Sequence, residues 1–170
     1  VAAYSDKHAF VCSPYFRDYG RFIQPGPIGR EQVTLDDLLF ADVVGIQVLT
    51  STARMREIGM FDETMDAWVD YDLFTRLVAH YGPGLRIPVR TAIVNVDPRA
   101  RRVTTSKRAL QGAHAYYEKY SSLMNHTQRR NQWLMQTLVR NQGLTLNEAW
   151  SNWGPGTRTR VVRAWMACNV

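Results

Sequence analysis

The sequence has no long apolar run, few cysteines and no metal-ligand spacing among its histidines. No stretch approaches the roughly 18 to 20 apolar residues that a membrane-spanning helix needs, so no segment crosses a bilayer by itself. The two cysteines, Cys12 and Cys168, lie at opposite ends of the chain. This spacing favours reduced thiols in a cytosolic protein over a disulfide framework. The four histidines are scattered along the chain, which argues against a zinc site.

The charge of the chain is unevenly distributed. Its 170 residues are enough for one globular domain with an extension, and 45% of them are hydrophobic, which argues against disorder. Residues 1–100 hold 10 Lys and Arg against 13 Asp and Glu, a net charge of −3. Residues 101–170 hold 11 against 2, a net charge of +9. A solvated surface rarely needs such a one-sided excess, so we expect the two regions to face different partners.

Strands and helices alternate in the first hundred residues. Thr34 and Ser51 are typical helix N-caps, whereas Gly59 and the Gly-Pro-Gly of residues 82–84 are typical helix ends. The alternation predicts an α/β layer rather than a helical bundle. The predicted strands cover residues 2–12, 43–49 and 85–96, the predicted helices cover residues 34–39, 52–58 and 70–81, and residues 13–32 are predicted as a long loop.

Beyond residue 104 the pattern is helical, and we divide the chain into a first domain, residues 1–103, and a basic helical extension, residues 104–170. Three strands make a thin sheet for an α/β layer, and the sequence starts without an initiator Met, inside a predicted strand. We therefore expect the chain to begin partway through a longer protein. The helices of the extension are predicted over residues 106–124, 128–141, 146–153 and 157–168.

The most informative motif lies between residues 59 and 77. Residues 59–63 read Gly-Met-Phe-Asp-Glu, and residues 68–77 read Trp-Val-Asp-Tyr-Asp-Leu-Phe-Thr-Arg-Leu. This block resembles the pattern of family 2 glycosyltransferases of the GT-A type, in which a Gly-Gly-Phe-Asp-Glu turn leads into a helix that starts Glu-Asp-x-Asp-Leu-x-x-Arg-Leu. The segments 4–6, 42–45, 52–58, 94–97 and 103–106 also resemble parts of that family, so the resemblance covers roughly residues 1–110.

The resemblance implies transfer of a sugar from a nucleotide-sugar donor to a hydroxyl acceptor, with inversion. It implies that the chain holds the acceptor-side part of the fold, a partial GT-A sheet with flanking helices, followed by an α-helical extension. It places Asp70 at the position of the catalytic base, and it places the turn that holds Asp62 and Glu63 beside the acceptor, although these two carboxylates alternatively cap or brace that turn. Trp68 is a further candidate for binding the acceptor. It also implies a divalent metal, Mg²⁺ or Mn²⁺, which an upstream donor-binding half of the full-length enzyme would hold through an Asp-x-Asp motif.

The chemistry of the reaction suits a carboxylate at position 70. Inverting transfer needs one carboxylate to take the proton from the acceptor hydroxyl as that oxygen attacks the anomeric carbon. Backbone N–H groups at a helix N-terminus orient a carboxylate and keep it ionised, which suits Asp70. The alternative is that Asp70 only caps the helix. Trp68 also has two interpretations, since an aromatic ring either stacks on the apolar face of a sugar or packs in the core.

Two positions depart from the family pattern. Val69 replaces the Glu that usually precedes the base, and Asp97 stands near the position of a downstream His. Asp70 and Asp72 have the letters of Asp-x-Asp, but they open a helix after the turn, so we assign no metal ligand in this chain. Asp97 is a candidate only for approaching the metal or the diphosphate in place of that His. Arg76 is predicted as the ion-pair partner of Asp72 at i, i+4.

The extension interleaves tryptophans and aliphatic side chains with arginines. One interpretation is packing on the chain itself or in a homo-oligomer, with solvated arginines outside. Another is binding to an anionic membrane surface, which basic helices edged by Trp suit. Nucleic-acid binding is a third interpretation, but no recognised motif accompanies it. The apolar residues are Trp133, Leu134, Leu138, Trp150, Trp153, Val161, Val162, Trp165 and Met166, and the arginines are Arg129, Arg130, Arg140, Arg158, Arg160 and Arg163.

These observations predict part of a glycosyltransferase that acts in the synthesis of a surface polysaccharide or glycolipid. We expect it in the cytoplasm, peripheral at the inner face of the membrane. The rival hypothesis is a non-catalytic interaction or scaffold domain derived from a transferase. Val69 in place of the usual Glu, and the lack of a donor-binding half within these residues, favour that rival.

Overall fold

The computed structural model describes residues 7–96, 107–140 and 144–169, with the backbone alone for residues 107 and 167–169. The described chain is α/β, as the sequence predicts. It divides into two compact units. The first comprises Val1–Leu38, Asp42–Asp62 and Asp70–Arg101, and the second comprises Leu39–Ala41, Glu63–Val69 and Arg102–Val170. The domain division at residue 103 stays a prediction.

Short strands form two mixed sheets in the part of the chain that the structure describes. The strands are β1 (Val11–Cys12), β2 (Tyr15–Asp18), β3 (Ile23–Pro25), β4 (Gln32–Val33), β5 (Val48–Leu49), β6 (Gly84–Arg86) and β7 (Ala92–Asn95). The first sheet has the order β4-β6-β1-β5, in which β1 is parallel to β6 and antiparallel to β5. The second has the order β3-β2-β7, in which β2 is parallel to β7 and antiparallel to β3.

The predicted loop over residues 13–32 is wrong, because this segment contains β2, β3 and the first residue of β4. Gly20 has a φ of 78° and turns the chain between β2 and β3, where the N–H of Tyr19 donates to the carbonyl of Phe22 at 3.0 Å. Pro25 lies in β3, the edge strand of its sheet. A proline is tolerated there because the outer side of an edge strand needs no donor for a neighbour.

The other predicted strands are shorter than expected. Residues 43–49 contribute only β5, because the carboxylate of Asp42 accepts the N–H groups of Val44 and Gly45 and holds them in a turn. Residues 85–96 divide at Pro88 into β6 and β7, which belong to different sheets. Of the strand predicted over residues 2–12, only Val11 and Cys12 are strand in the described part, the prediction is wrong for residues 7–10, which form no strand, and residues 1–6 lie outside the description.

The helices of the first half agree with their sequence signals. Thr34 caps the first helix by accepting the N–H of Asp37 at 3.2 Å, and Ser51 caps the second by accepting the N–H of Arg54 at 3.2 Å. Gly82, with a φ of 86°, follows the last residue of the third. These helices are α1 (Leu35–Phe40), α2 (Thr52–Glu57) and α3 (Val69–Tyr81), and the buried residues of α3 are Tyr71, Asp72, Leu73, Phe74, Thr75, Leu77 and Val78.

The helical extension also has the predicted order of elements. Its helices are α4 (Lys107–Tyr120), α5 (His126–Arg140), α6 (Leu146–Ser151) and α7 (Arg158–Asn169), with a 3-10 turn at Ser121–Leu123. A core cluster in the second unit joins Leu134, Leu144, Val161 and Ala164. Thr145 begins α6 with a full capping box, in which its hydroxyl and the carboxylate of Glu148 bind each other's backbone N–H.

Candidate active site

Asp70 is the second residue of α3 and is exposed to solvent. Its carboxylate accepts the N–H of Tyr71 at 2.9 Å, so one free backbone donor of the first helical turn orients it. The helix begins at Val69, which puts Asp70 inside the first turn and not at the capping position. An exposed, oriented carboxylate is what a base that takes a proton from a bound hydroxyl requires. Its catalytic role stays a prediction.

Asp72, one turn into the same helix, differs sharply from Asp70 because its side chain is fully buried. The Nε of Arg76 donates to its carboxylate at 2.8 Å, and the side chains of Asp72 and Arg76 are 0% and 19% exposed. The predicted i, i+4 ion pair is therefore present. A carboxylate held this way serves the fold and is closed to a substrate.

Arg76 also holds the turn that follows α2. Its two terminal nitrogens donate to the carbonyls of Ile58 and Met60, each at 2.7 Å. The backbone of Met60 is left-handed, with a φ of 59°, at the place where the family pattern has its second glycine. A side chain makes that conformation cost roughly 1 to 2 kcal/mol. From within α3, Arg76 thus stabilises a strained turn. This turn leads directly into Asp62, a half-exposed residue of the first unit.

Asp42 is a second carboxylate close enough to Asp70 for their charges to interact. It lines a cleft of about 480 Å³ within the first unit. Its Oδ1 accepts the N–H groups of Val44 at 3.0 Å and Gly45 at 3.2 Å, so one oxygen of the carboxylate is bound to the turn. The residues that line the cleft include Tyr15, Arg17, Arg30, Gln32, Asp37, Asp42 and Arg86.

Arg86 is a buried lining residue of the cleft. It is only 6% exposed, and it donates to the carbonyls of Arg30 at 2.7 Å and of Val43. A methyl group on Gly29 would lie 2.4 Å from the guanidinium of Arg86, and one on Gly45 would lie 2.8 Å from the ring of Tyr15. Both glycines also have positive φ values, so the cleft depends on glycine at these positions.

Asp42 is an exposed residue by surface area, but protein atoms crowd its carboxyl group and displace water from it, which raises its pKa from 3.8 to about 6. The N–H groups of Gly45 and Val44 lower that pKa, the nearby Asp70 carboxylate adds to the rise, and Arg86 opposes it. A carboxyl group that the fold makes harder to ionise, in a cleft and next to another carboxylate, is typical of functional sites.

Asp42→Asn is expected to stabilise the protein at neutral pH. The folded-state pKa of Asp42 is raised, so folding takes up a proton between about pH 4 and pH 6, and stability falls as the pH rises through that window. Asn keeps an oxygen for the N–H groups of Val44 and Gly45 but carries no charge. The melting temperature of the variant should therefore exceed that of the wild type at about pH 7 and match it at about pH 4. A variant that is less stable than the wild type by the same amount at both pH values would contradict this assignment.

Trp68 and Glu63, the other predicted acceptor residues, belong to the second unit. Glu63 is exposed. Trp68 is half-buried, and its ring packs at a tilt against that of Tyr116, with centroids 5.9 Å apart. Its backbone is left-handed, with a φ of 64°. That conformation is a true outlier for a bulky residue, and such strain concentrates at functional sites.

The described residues contain no group of three or more His, Cys, Asp and Glu side chains that could hold a metal ion. Asp97, the candidate for approaching a metal or the diphosphate, lies outside the described residues. In the same part of the chain, no helix is both long enough and apolar enough to cross a membrane.

Cys12 is a free, buried thiol at the end of β1. Burial raises its pKa, while the guanidinium of Arg86 lowers it. A thiol that resists ionisation is a poor nucleophile, so Cys12 serves packing. The side chain of Cys168 lies outside the description.

Asp42 is the residue of this site that sequence reasoning missed. The segment 42–45 resembles part of the family pattern, but no single residue within it stands out in the sequence. Only the fold brings Asp42 near Asp70, which is 28 positions away. The local signal that could have pointed to Asp42 is the Asp-Val-Val-Gly turn, because an Asp that binds the N–H groups two and three residues later marks a turn.

The first unit thus presents a polar cleft lined by Asp37 and Asp42, and the exposed carboxylate of Asp70 is close enough to Asp42 to interact with its charge, an arrangement suited to general-base chemistry on a polar substrate. The chain is similar to the protein named "Putative colanic acid biosynthesis glycosyl transferase WcaA" of Escherichia coli (strain K12), with 27% identity over 104 residues. The matched region is 61% of this chain and 37% of that protein. This distant similarity supports a relationship to glycosyltransferases. No family model and no solved structure matches the chain.

Proposed function

We propose that the protein containing this chain is an inverting glycosyltransferase of family 2 and GT-A type, which moves a sugar from a nucleotide-sugar donor to a hydroxyl acceptor. The observation that carries the proposal is the exposed carboxylate of Asp70, held at the start of α3 and close to Asp42 in the first unit. The similarity to a protein named as a glycosyl transferase supports it. The matched region is only 37% of that protein's length. The activity of the complete enzyme, its substrates included, is therefore part of the proposal.

In the proposed reaction, Asp70 takes the proton of the acceptor hydroxyl while that oxygen attacks the anomeric carbon of the donor. The new bond from carbon to oxygen forms as the bond to the diphosphate breaks, and the nucleoside diphosphate leaves with the electron pair. Attack opposite the leaving group inverts the anomeric carbon. The polar lining of the cleft, including Asp42 and Asp37, offers acceptors for sugar hydroxyls.

The proposal assigns the divalent metal, Mg²⁺ or Mn²⁺, to an Asp-x-Asp motif in a donor-binding part of the longer enzyme. It assigns Trp68, Asp62 and Glu63 to the acceptor. The name of the relative mentions colanic acid biosynthesis. We accordingly propose an acceptor on the route to a surface polysaccharide or glycolipid and a cytoplasmic location, where nucleotide sugars are available.

The proposal is tested by incubating the full-length protein with uridine, guanosine and thymidine diphosphate sugars and measuring nucleoside diphosphate release. Release that depends on a divalent metal is the expected result. The isolated 170-residue chain should show no nucleotide-sugar affinity in calorimetry. Saturable, metal-dependent binding by the isolated chain would show that its own carboxylates hold the metal. A full-length protein that binds no donor would instead favour the non-catalytic scaffold.

A further inference from the structure

The last two helices carry an apolar face that the fold leaves open. Trp150 is 82% exposed and Leu146 is 77% exposed, and the other four members are exposed by between 39% and 47%. Residues of this face line an apolar groove of about 310 Å³ within the second unit. We call this surface the tryptophan face, and it consists of Leu146, Trp150, Trp153, Val162, Trp165 and Met166.

The tryptophan face is separate from the buried core cluster of the second unit. The inner side of α7 is already packed, because Val161 and Ala164 are 1% and 0% exposed and join the cluster that contains Leu134 and Leu144. Trp133 and Leu138 pack against the same cluster. The apolar residues of the extension thus include an inner set that is buried within the unit and an outer set that stays substantially exposed. Exposed contiguous apolar surface of this kind marks an interaction site.

Two arginines share the outer side of α7 with the tryptophan face. Arg158 and Arg163 are both exposed. Arg158 precedes Val162 by four positions and Arg163 precedes Met166 by three, so on a helix each lies beside an apolar member of the face. Glu148 is the one acidic residue between positions 144 and 169, and its carboxylate is bound in the capping box of α6. The face therefore combines three tryptophans with a net positive charge.

Three other arginines of the extension have partners within the chain. Arg130 donates to the carbonyl of Trp153 at 2.8 Å, and the guanidinium of Arg160 lies 5.5 Å from the centre of the Phe40 ring. Arg129 donates to the carbonyl of Ser121 at 3.1 Å. These contacts are internal to the second unit, so these three arginines stabilise the fold. Arg158 and Arg163 remain as the charges that α7 presents outward.

We propose that the tryptophan face, together with Arg158 and Arg163, docks onto the surface of an anionic lipid bilayer. Tryptophan rings are most stable at the boundary between lipid headgroups and acyl chains, and arginines bind the phosphates that lie beside them. A second copy of the chain fits less well. A symmetric dimer through this face would bring the face of one copy against the same face of the other, and with it arginines of like charge. A bilayer with anionic lipids accommodates both the rings and the charges. This inference does not depend on the proposed transferase activity.

The experiment is cosedimentation of the chain with vesicles of phosphatidylcholine alone and of phosphatidylcholine mixed with phosphatidylglycerol. Binding to the mixed vesicles is expected at low salt, and it should weaken strongly in about 1 M salt, where the screening length falls to about 3 Å. Arg158→Gln combined with Arg163→Gln should reduce the partition constant about 30-fold, since each basic residue near an anionic surface contributes roughly a factor of five. Trp150→Ser combined with Trp165→Ser should also reduce it.

Matched controls come from the first unit. Arg56→Gln and Phe22→Ser change an exposed arginine and an exposed aromatic ring there and should bind vesicles as the wild type does. Far-ultraviolet circular dichroism should be unchanged in all variants, because the substituted side chains are exposed. Failure to bind mixed vesicles at low salt would overturn the proposal, as would equal loss of binding in the controls. A dimer seen in sedimentation equilibrium and dissociated by Trp150→Ser would assign the tryptophan face to a second copy. Binding to a nucleic acid but not to vesicles would assign the face to nucleic acid.

Discussion

Asp70→Asn is expected to lower the rate of sugar transfer by the full-length enzyme about 10²- to 10⁴-fold, the usual cost of removing a general base. The asparagine oxygen can still accept the N–H of Tyr71, which Asp70 binds at 2.9 Å. Folding should therefore change by less than about 1 kcal/mol. Donor binding should survive, since the proposal assigns nucleotide and metal to another part of the enzyme. The measurements are steady-state transfer rates, donor affinity and the melting temperature of the same preparation.

The matched control is Asp36→Asn. Asp36 is also an exposed second residue of a helix, α1, so the change alters the same kind of helix-start carboxylate away from Asp70. Asp72→Asn, which the sequence alone makes the natural control, is unsuitable because Asp72 is buried against Arg76. A folded Asp70→Asn enzyme with near-normal turnover would show that Asp70 is not the base. If Asp42→Asn abolished transfer while Asp70→Asn did not, the base would be Asp42.

Sequence reasoning succeeded where the signal is local. Helix caps and helix ends depend on a few neighbouring residues, so Thr34, Ser51 and Gly82 could be recognised without the fold. The ion pair of Asp72 and Arg76 follows in the same way from helical spacing. The α/β class could also be predicted, because it needs only the alternation of elements along the chain.

The bounds of the strands, and the strands within residues 13–32, escaped prediction because pairing partners far along the chain define them. Val11 pairs with Leu49 on one side and Leu85 on the other, and strands of two or three residues leave no periodic pattern. The glycines and prolines of residues 13–32 suggested a loop, although Gly20 makes the turn of a hairpin and Pro25 occupies an edge. The same limit explains Asp42, whose raised pKa comes from its surroundings in the fold.

Arg76→Ala is expected to have the largest effect on stability. It leaves the fully buried carboxylate of Asp72 without the guanidinium at 2.8 Å, and it removes the donors to the carbonyls of Ile58 and Met60. Breaking a buried ion pair from one side costs about 3 to 5 kcal/mol. The free energy of unfolding, measured by urea denaturation, should fall by that amount. Arg56→Ala, an exposed arginine of α2, is the control and should change it by less than about 0.5 kcal/mol.

A paired substitution separates the buried charge from the loss of the side chain itself. Asp72→Leu combined with Arg76→Met removes both charges and keeps apolar volume at the site. Since the main cost of Arg76→Ala is a buried carboxylate that has lost its guanidinium, the double variant should recover much of the stability that the single variant loses. What it does not recover includes the two bonds by which Arg76 holds the left-handed turn at Met60. A single variant as stable as the wild type would mean that neither the ion pair nor the clamp on that turn contributes to folding. The start of α3, and with it the position of Asp70, would then have to be fixed by packing alone.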